Sequence, residues 1–321
     1  MNNMPPFQIT PRILFLSQEI SKHLGILQGA KLYPLSIHLR KNNKIKTIQS
    51  SLAIEGNTLT TKQITAISEG KRILGKAEDI LEVKNAMKVY GRLTQWDPLS
   101  ITNLIDAHKL LMQNLITENG QWRKGGVGIF KGKKVKHIAP PAKRVPILIE
   151  NLFNFINFNN DTPWLLKACI FHYEFVFIHP FIDGNGRMGR LWQQLLLMKE
   201  DPIFEFFAVE SLIKENQQLY YDVLEYCDKT GNSTEFIVFS LEQILATLKQ
   251  NLNTRTQAVL PMQRLLYAKD LIRKTWFNRK GYMNLHRDIS TATASRDLLF
   301  GVQERLLQKQ NTNNKTTYFF I

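Results

Sequence analysis

The segment His179 to Trp192, HPFIDGNGRMGRLW, gathers residue types that could carry out phosphate chemistry. Gly184 and Gly186 permit a tight turn whose consecutive backbone N–H groups can bind an anion. Helical pattern resumes at Arg187, and the N-terminus of a helix also favours anions. Arg187 and Arg190 lie one helical turn apart, and their guanidinium groups suit phosphate oxygens.

Two further side chains in this segment could complete a reaction site. Asp183 offers hard carboxylate oxygens beside the anion site, which is a usual way for proteins to hold Mg²⁺ near a phosphate. His179 stands just before the turn, where an imidazole could act as a general base. Each residue alone is commonly structural. Together they predict a magnesium–phosphate site with a proton acceptor at its edge.

Composition indicates an ordinary globular chain around this candidate site. The 321 residues, 44% hydrophobic and 21% charged, suffice for two domains or for one domain with an appendage. No apolar run reaches the roughly 18 residues that span a bilayer, and we expect neither membrane insertion nor a secretory signal. Cys169 and Cys227 lie in apolar helical pattern, which predicts buried thiols in a reducing cytoplasm. The net charge of +15 favours phosphate-bearing ligands, nucleic acid or acidic protein surfaces.

Most of the chain has the periodicity of helices that bury one face. We predict helices over 79–93, 100–116 with Ser100 as N-cap, 145–158, 162–178, 186–200, 210–230, 233–252 and 264–277. The segment 125–141 instead predicts a β-hairpin, because short β-branched pieces flank Lys131-Gly132-Lys133. The remaining C-terminal pattern is short helix, turn, helix, polar turn and terminal strand, which is typical of a winged-helix module. The expected fold class is mainly α.

The segment from His179 resembles the signature of the Fic family, His-x-Phe-x-Asp/Glu-Gly-Asn-Gly-Arg-x-x-Arg, and fills each fixed position. Upstream, QSSLAIEGNTLT resembles the family's inhibitory motif, Ser/Thr-x-x-x-Glu-Gly/Asn, with Ser51, Glu55 and Gly56 in the required places. The resemblance covers about residues 45 to 250. It implies a Fic-type helical core with a hairpin flap. The implied domains are an N-terminal helical region carrying the inhibitory motif (1–95), the catalytic core (96–255) and a winged-helix-like domain (256–321).

Fic enzymes typically transfer AMP from ATP to a Ser, Thr or Tyr hydroxyl, so the resemblance implies a protein adenylyltransferase that uses ATP and Mg²⁺. It makes His179 the base for the acceptor hydroxyl, Asp183 the Mg²⁺ ligand and Phe181 a buried anchor of the loop. The residues implied to bind the nucleotide are Gly184, Asn185, Gly186, Arg187 and Arg190, with Tyr221 and Leu224 at the adenine. Asp228 stands where many relatives carry asparagine, which leaves the base preference open.

The resemblance also implies regulation and partners. Glu55 would form a bidentate pair with Arg190 in the γ-phosphate region and hold ATP in an unproductive pose. The simpler alternative is a helix that ends at Gly56 and leaves Glu55 solvated. The flap residues Gly128, Ile129 and Phe130 would pair with an extended segment of a target protein, which could be a second copy of this chain. A homodimer is a further expectation, because relatives with this inhibitory arrangement are often dimers.

Two other classes of function stay open. The stretch ISTATASRDLLFGVQERL resembles a helix-turn-helix, so the chain could be a DNA-binding regulator with a Fic-like sensor, although this helix is not densely basic. The residues that would enter the recognition helix are Thr291, Thr293, Ser295 and Arg296. The same fold could also transfer phosphate or another nucleotide, or remove AMP from a modified protein. The sequence identifies neither the target nor the signal that frees the inhibitory segment.

Overall fold

The computed structural model describes residues 4–29, 37–126, 128–131, 134–272, 275–286, 289–312 and 315–321. They form two compact units, Met1–Leu248 and Lys249–Ile321. The fold is mainly helical, as predicted, with two small antiparallel hairpins among the described residues. The division into three domains stays a prediction. Within the same ranges, none of the helices combines the length and apolarity that a membrane crossing requires.

The first unit is built from helices and one hairpin. Its N-terminal part contains α1 (Pro11–Gly29), α2 (Ile37–Ile54), α3 (Thr61–Ser68) and α4 (Ala77–Gly91). It continues with α5 (Ile101–Leu111), β1 (Gly128–Lys131), β2 (Lys134–Ile138), α6 (Val145–Phe158), α7 (Trp164–Ile178) and α8 (Asn185–Glu200). Then follow α9 (Val209–Glu215), α10 (Gln217–Thr230) and α11 (Thr234–Ile272), whose last residues belong to the second unit. Short 3₁₀ helices cover Leu93–Gln95, Ala142–Arg144 and Pro202–Phe206.

The helix α7 lies at the centre of the first unit. Nearly all of its side chains are buried, as its apolar sequence on every face requires. It packs along α8, in which Trp192 is fully buried and donates its indole N–H to the carbonyl of Pro98 at 3.0 Å. The connection between these two buried helices carries the predicted reaction site. Both ends of that connection are therefore fixed by the core.

Local sequence explains several helix boundaries. The predicted cap Ser100 is confirmed, since its hydroxyl accepts the backbone N–H of Asn103 at the start of α5. The predicted end of this helix is wrong, because α5 stops at Leu111 and Asn114 adopts a left-handed φ of 61°. The helix α6 has the predicted bounds, with a proline in its first turn.

Two other helix predictions are wrong. The segment 210–230 is interrupted at Asn216, whose side-chain amide donates to Leu212 O and Gln243 Oε1 and so competes with the helical backbone. The segments 233–252 and 264–277 were expected to be separate, yet the single helix α11 runs to Ile272 with Pro261 inside it. The polar residues between them interrupt the apolar pattern, but polar side chains such as Gln and Arg are good helix formers.

The second unit has its own small core. It contains α12 (Arg279–Leu285), α13 (Thr291–Gln303) and a hairpin of β3 (Leu307–Thr312) and β4 (Lys315–Phe320). Arg264 donates two hydrogen bonds to the buried Asp297, at 2.6 and 2.7 Å. The expectation of a single terminal strand is wrong, because β3, with the sequence LQKQNT, lacks the apolar alternation that marks a strand. The winged-helix assignment stays a prediction.

Candidate active site

The connection between α7 and α8 has an unusual backbone. His179 ends α7 with a left-handed φ of 51°, directly before Pro180. Gly184, with φ +84°, is the N-cap of α8, and a Cβ atom there would lie 2.9 Å from the sulfur of Met112. Both the backbone angle and the space therefore require glycine. Asp183 accepts the Gly184 N–H at 2.6 Å with one carboxylate oxygen, and its side chain is 56% exposed.

Asn185 and Phe181 lock this connection. The side-chain amide of Asn185 accepts the Phe181 N–H and donates to the Phe181 carbonyl, both at 2.9 Å. Phe181 is fully buried, as predicted, and its ring stacks on His108 and contacts Trp122. The Asn185 side chain is thus engaged within the connection, and the role of this residue in nucleotide binding stays a prediction.

His108 supports the connection from below and was not singled out from the sequence. The Gly120 N–H donates to its Nδ1, so its Nε2 carries the proton and donates to the Asp183 carbonyl, each at 2.9 Å. Burial lowers the pKa of His108 to about 4. On α5 it shares the buried face with Leu104 and Leu111. A histidine at that spacing could have been recognised as pointing inward.

Replacing His108 with glutamine is expected to reduce the acid sensitivity of folding. Its pKa falls from about 6.5 when unfolded to about 4 when folded, so the unfolded chain binds the proton first as the pH drops. As far as His108 is concerned, the free energy of unfolding is therefore highest above about pH 6.5, and this histidine lowers it by up to about 3 kcal/mol as the pH falls from there to 4. Urea titrations of both proteins at pH 7.5 and 5 measure this difference.

The comparison isolates His108 because other buried groups titrate alike in both proteins. Burial lowers the pKa of His172 to about 3 and raises the pKa values of Glu174 and Glu210 to about 7. The two glutamates act in the opposite direction, since they stabilise the folded chain less as the pH rises through 7. Equal pH dependence in the wild-type protein and the glutamine variant would contradict the assignment of His108.

Arg123 fixes the backbone of His179. Its buried guanidinium donates from Nε to the His179 carbonyl at 2.7 Å and from Nη1 to the Gly125 carbonyl at 2.8 Å. Its Nη2 donates to the carbonyls of Pro140 and Ile178. Carbonyls at the end of α7 lack partners within the helix, and Arg123 supplies them. Nothing in the sequence pattern distinguished this arginine from the lysines around it.

The first signature arginine lies between two carboxylates. Arg187 is 5% exposed and donates from Nη2 to Asp183 at 2.8 Å and from Nη1 to Glu82 at 2.5 Å. The second oxygen of Glu82 accepts the side-chain amide of Asn57 at 2.7 Å. Glu82 and Asn57 carried no motif of their own, so the sequence did not indicate this contact.

The second signature arginine contacts the predicted inhibitory segment. Arg190 is 1% exposed and donates to the Ser51 hydroxyl at 3.1 Å and to the Ser51 carbonyl at 2.9 Å. Its Nη2 donates to Glu55 Oε1 at 2.7 Å. The predicted contact is present, but it is made through one carboxylate oxygen rather than two. The simpler alternative is confirmed in part, because α2 ends at Ile54, Gly56 has φ +98° and the Glu55 side chain is still 32% exposed, but that carboxylate is paired with Arg190.

Gly186 explains how closely Glu55 approaches. A Cβ atom on Gly186 would collide with Glu55 Oε1 and would lie 3.1 Å from Arg190 Nη1. Burial by itself would lower the pKa of Arg190, but the adjacent Glu55 carboxylate, together with Tyr220 and Tyr90, raises that pKa above its ordinary value. Glu55 thus fills the space beside the first turn of α8 and also pairs with the Arg190 guanidinium.

Both arginines retain unused donors. Arg187 Nε and Arg190 Nη1 are buried and find no hydrogen-bond partner within the described ranges. Buried N–H groups of charged side chains are rarely left in that state. The donors at the start of α8 are therefore suited to an anionic ligand.

The predicted adenine residues lie on α10, which contacts the end of α2. Tyr221 donates its hydroxyl to the Ile54 carbonyl at 3.3 Å, and Leu224 is buried on the same helix. Asp228 accepts the Tyr173 hydroxyl at 3.1 Å. The flap strands pair as predicted, with Gly128 opposite Ile138 and Ile129 opposite His137, and β2 lies beside α10. The predicted turn residues Gly132 and Lys133 lie outside the described residues, as do the side chains of 127–138.

The residues predicted to be structural are confirmed in that role. Cys169 and Cys227 are buried and unpaired with each other, and burial raises their pKa values to about 12 and about 11. His172 is fully buried between Gln193 and Tyr220. A thiolate nucleophile is therefore disfavoured in this unit.

Comparison with known proteins gives consistent results. Residues 98–197 match the Fic/DOC family. "Protein adenylyltransferase Fic" of Drosophila willistoni is 28% identical over 209 residues, which are 62% of this chain and 40% of that protein. The protein of the same name from Culex quinquefasciatus is 26% identical over 287 residues, covering 83% of this chain and 55% of its own length. The chain thus spans about half or less of the length of these curated relatives.

Solved structures extend the comparison to the whole chain. A Fic family protein from Desulfovibrio desulfuricans G20 is 37% identical with a TM-score of 0.76, covering 99% of this chain and 98% of its own. Fic-1 of C. elegans, residues 134–508, is 20% identical with a TM-score of 0.60, covering 77% of this chain and 72% of its own. The second likeness concerns the fold alone.

Proposed function

The chain belongs to the Fic family, and we propose that it is a protein adenylyltransferase that transfers AMP from ATP to a hydroxyl side chain of a target protein. The observation that carries this proposal is the pair of buried, unsatisfied guanidinium N–H groups of Arg187 and Arg190 at the first turns of α8. A polyphosphate supplies the oxygens that such donors lack. The names of the curated relatives support the same reaction, and the target protein is left to experiment.

In the proposed reaction, the chain positions ATP and the acceptor hydroxyl and forms no covalent bond to either. The His179 imidazole removes the proton of the acceptor hydroxyl while the hydroxyl oxygen attacks the α-phosphorus of ATP. The bond between the α-phosphorus and the bridging oxygen breaks, and pyrophosphate leaves. Arg123 holds the His179 backbone by its carbonyl, so the imidazole is presented from a fixed support.

The phosphates are assigned to the start of α8. We assign to them the backbone N–H groups of Gly184, Asn185 and Gly186, of which that of Gly184 donates to Asp183 in this structure. Arg187 is assigned to the polyphosphate and Arg190 to the γ-phosphate. Asp183 fits the Mg²⁺ of such a site, because its carboxylate is more than half exposed and lies next to these donors. Mg²⁺ is commonly bound by one or two carboxylates together with phosphate oxygens and water, and it neutralises developing charge on the phosphates.

Glu55 is assigned an inhibitory role. Its oxygen lies 2.7 Å from Arg190, and it fills the space beside Gly186. A γ-phosphate and the Glu55 carboxylate compete for one guanidinium, and both are negative. Productive binding of ATP therefore requires the C-terminus of α2 to move away.

The transferred group is the decisive test of this function. Purified protein is incubated with Mg²⁺ and with ATP labelled on either the α- or the γ-phosphate. The acceptors are the protein itself and the proteins of a cell lysate. We expect the α-label alone on protein, with an adenylyl mass increment on a Ser, Thr or Tyr peptide. Transfer of the γ-label alone would replace this proposal with phosphotransfer, and release of AMP from a modified protein would indicate the reverse reaction.

DNA binding by the second unit is the weaker candidate. Arg296 on α13 directs its guanidinium to Ala292 O and Thr293 Oγ1 within its own helix, and Arg264 is paired with Asp297. Arg296 is the one basic residue of α13, so this helix offers little positive charge to phosphates. A mobility-shift assay at physiological salt tests this function directly.

A further inference from the structure

Glu82 of α4 is a carboxylate at the candidate site that no sequence motif assigned. Its side chain is 16% exposed, and its Oε1 lies 2.5 Å from Arg187 Nη1. Its other oxygen accepts the amide of Asn57 at 2.7 Å. Asn57 follows Gly56 directly and is itself 8% exposed. The inhibitory segment is thus connected to Arg187 through one intermediate side chain.

The two signature arginines are therefore matched by two carboxylates from different helices. Glu55 at the end of α2 engages Arg190, and Glu82 in α4 engages Arg187. Asp183 also contacts Arg187, but its exposure screens that pair, whereas the Arg187–Glu82 pair is mostly shielded from water. Any phosphate bound at Arg187 meets a charge that Glu82 already neutralises.

Asn57 orients Glu82 toward Arg187. Its amide also donates to the Asp79 carbonyl at 3.1 Å, and its Oδ1 accepts the Leu59 N–H at 3.1 Å, so the side chain is held on three sides. The backbone N–H of Asn57 also donates to the Leu52 carbonyl in the last turn of α2 at 3.2 Å, so a movement of the end of α2 that carries Glu55 away also displaces Asn57. Glu82 then loses the partner that fixes its orientation.

We infer that Glu82 is a second inhibitory carboxylate, which acts on Arg187 and is coupled through Asn57 to the contact between Glu55 and Arg190. Release of the segment then frees both arginines together. This inference rests on the proposed function, since it describes the regulation of the same phosphate site. Glu82 contacts no reacting atom, and its effect is exerted through Arg187.

Binding measurements test the inference without relying on turnover. Calorimetry with ATP and with inorganic tripolyphosphate is carried out on the wild-type protein, Glu82→Gln, Glu55→Gly and the double variant. Glu82→Gln is expected to raise the affinity for both ligands about fivefold or more, the lower end of typical coupling between sites. Adenosine, which carries no phosphate, should bind all four proteins alike. Glu78→Gln removes an exposed carboxylate one turn earlier on α4 and should change nothing.

The double variant tests the coupling. The gain from Glu82→Gln should be smaller in the Glu55→Gly background, because the freed segment no longer holds Glu82 in place. Asn57→Ala provides a second route that keeps every charge. It should raise tripolyphosphate affinity in the wild-type background but not in Glu82→Gln. Thermal unfolding of each variant identifies any that fail to fold, in which case Asn57→Ala decides the question.

The outcomes separate this inference from the proposed function. If the wild-type protein binds ATP and Glu55→Gly strengthens that binding, equal affinities of Glu82→Gln and Glu78→Gln overturn the inference alone. Weaker binding by Glu82→Gln, or strictly additive effects in the double variant, also overturn it. If neither the wild-type protein nor any variant binds a triphosphate, the proposed function fails and the inference fails with it.

Discussion

Replacing His179 with asparagine is expected to lower the rate of AMP transfer at least about a thousandfold while ATP binding is retained. General-base catalysis contributes about 10²–10⁴-fold. The other titratable side chain in the connection between α7 and α8, Asp183, is assigned to Mg²⁺ in the proposed reaction and pairs with Arg187. In the proposed arrangement, His179 does not bind the phosphates of ATP. Rates with α-labelled ATP and an acceptor protein, together with ATP affinities from calorimetry, measure both quantities.

Asparagine is the better substitute because His179 has a left-handed backbone. Among residues with a side chain, asparagine tolerates that conformation well, whereas alanine adds strain at φ 51°. We expect His179→Ala to lose transfer as well, with some loss of stability. His23→Asn, on α1 and away from the candidate site, is the matched control. Substantial transfer by a folded His179→Asn variant would remove His179 from the mechanism.

Replacing Glu55 with glycine is expected to raise the rate of AMP transfer about tenfold to a hundredfold. Removal of the carboxylate frees Arg190 Nη2 and opens the space beside Gly186, so the γ-phosphate can take both. Glycine costs little here because α2 already ends at Ile54. Initial rates over a range of ATP concentrations up to saturation provide the measurement.

A graded series sharpens this second prediction. Glu55→Gln keeps a hydrogen-bond acceptor near Arg190 but removes its charge, and its rate should fall between those of the wild type and the glycine variant. Lys41 and Lys71 flank Glu69 on the surface, so Glu69→Gly tests the loss of an exposed carboxylate alone. An unchanged or lower rate in a folded Glu55→Gly variant would reject the inhibitory role.

The sequence predicted the parts of the site that are contiguous. His179 to Arg190 are close in the chain, and the glycine turn and the helix start follow from local rules, whereas the burial of Phe181 was implied by the resemblance. Ser51 and Glu55 are distant from Arg190, and only their resemblance to a known motif brought them to it. Their spacing, one helical turn apart, also fits the contact that the structure contains.

The supporting residues could not be predicted, because their partners are backbone atoms far away in sequence. His108 and Arg123 hydrogen-bond to backbone groups of the connection between α7 and α8 and of its surroundings. Every residue has a backbone carbonyl, so the sequence does not show which one a side chain will contact. Nothing in the sequence distinguishes Glu82 from the other glutamates, and only the fold brings its carboxylate to Arg187. The continuous helix predicted over 210–230 was wrong for a related reason. Asn216 interrupts it through a side-chain contact with Gln243 of α11, which is distant in the sequence.

The guanidinium of Arg123 has a mechanical consequence for substrate recognition. It is hydrogen-bonded to main-chain oxygens on both sides of the hairpin, at Gly125 and Pro140, and also to the oxygen of the residue that carries the imidazole. Through these hydrogen bonds, a displacement of either end of the hairpin would also displace the backbone of that residue. In the proposed reaction, a polypeptide that binds along the hairpin would therefore also shift the backbone of His179. Binding of the target and positioning of the imidazole would then occur together.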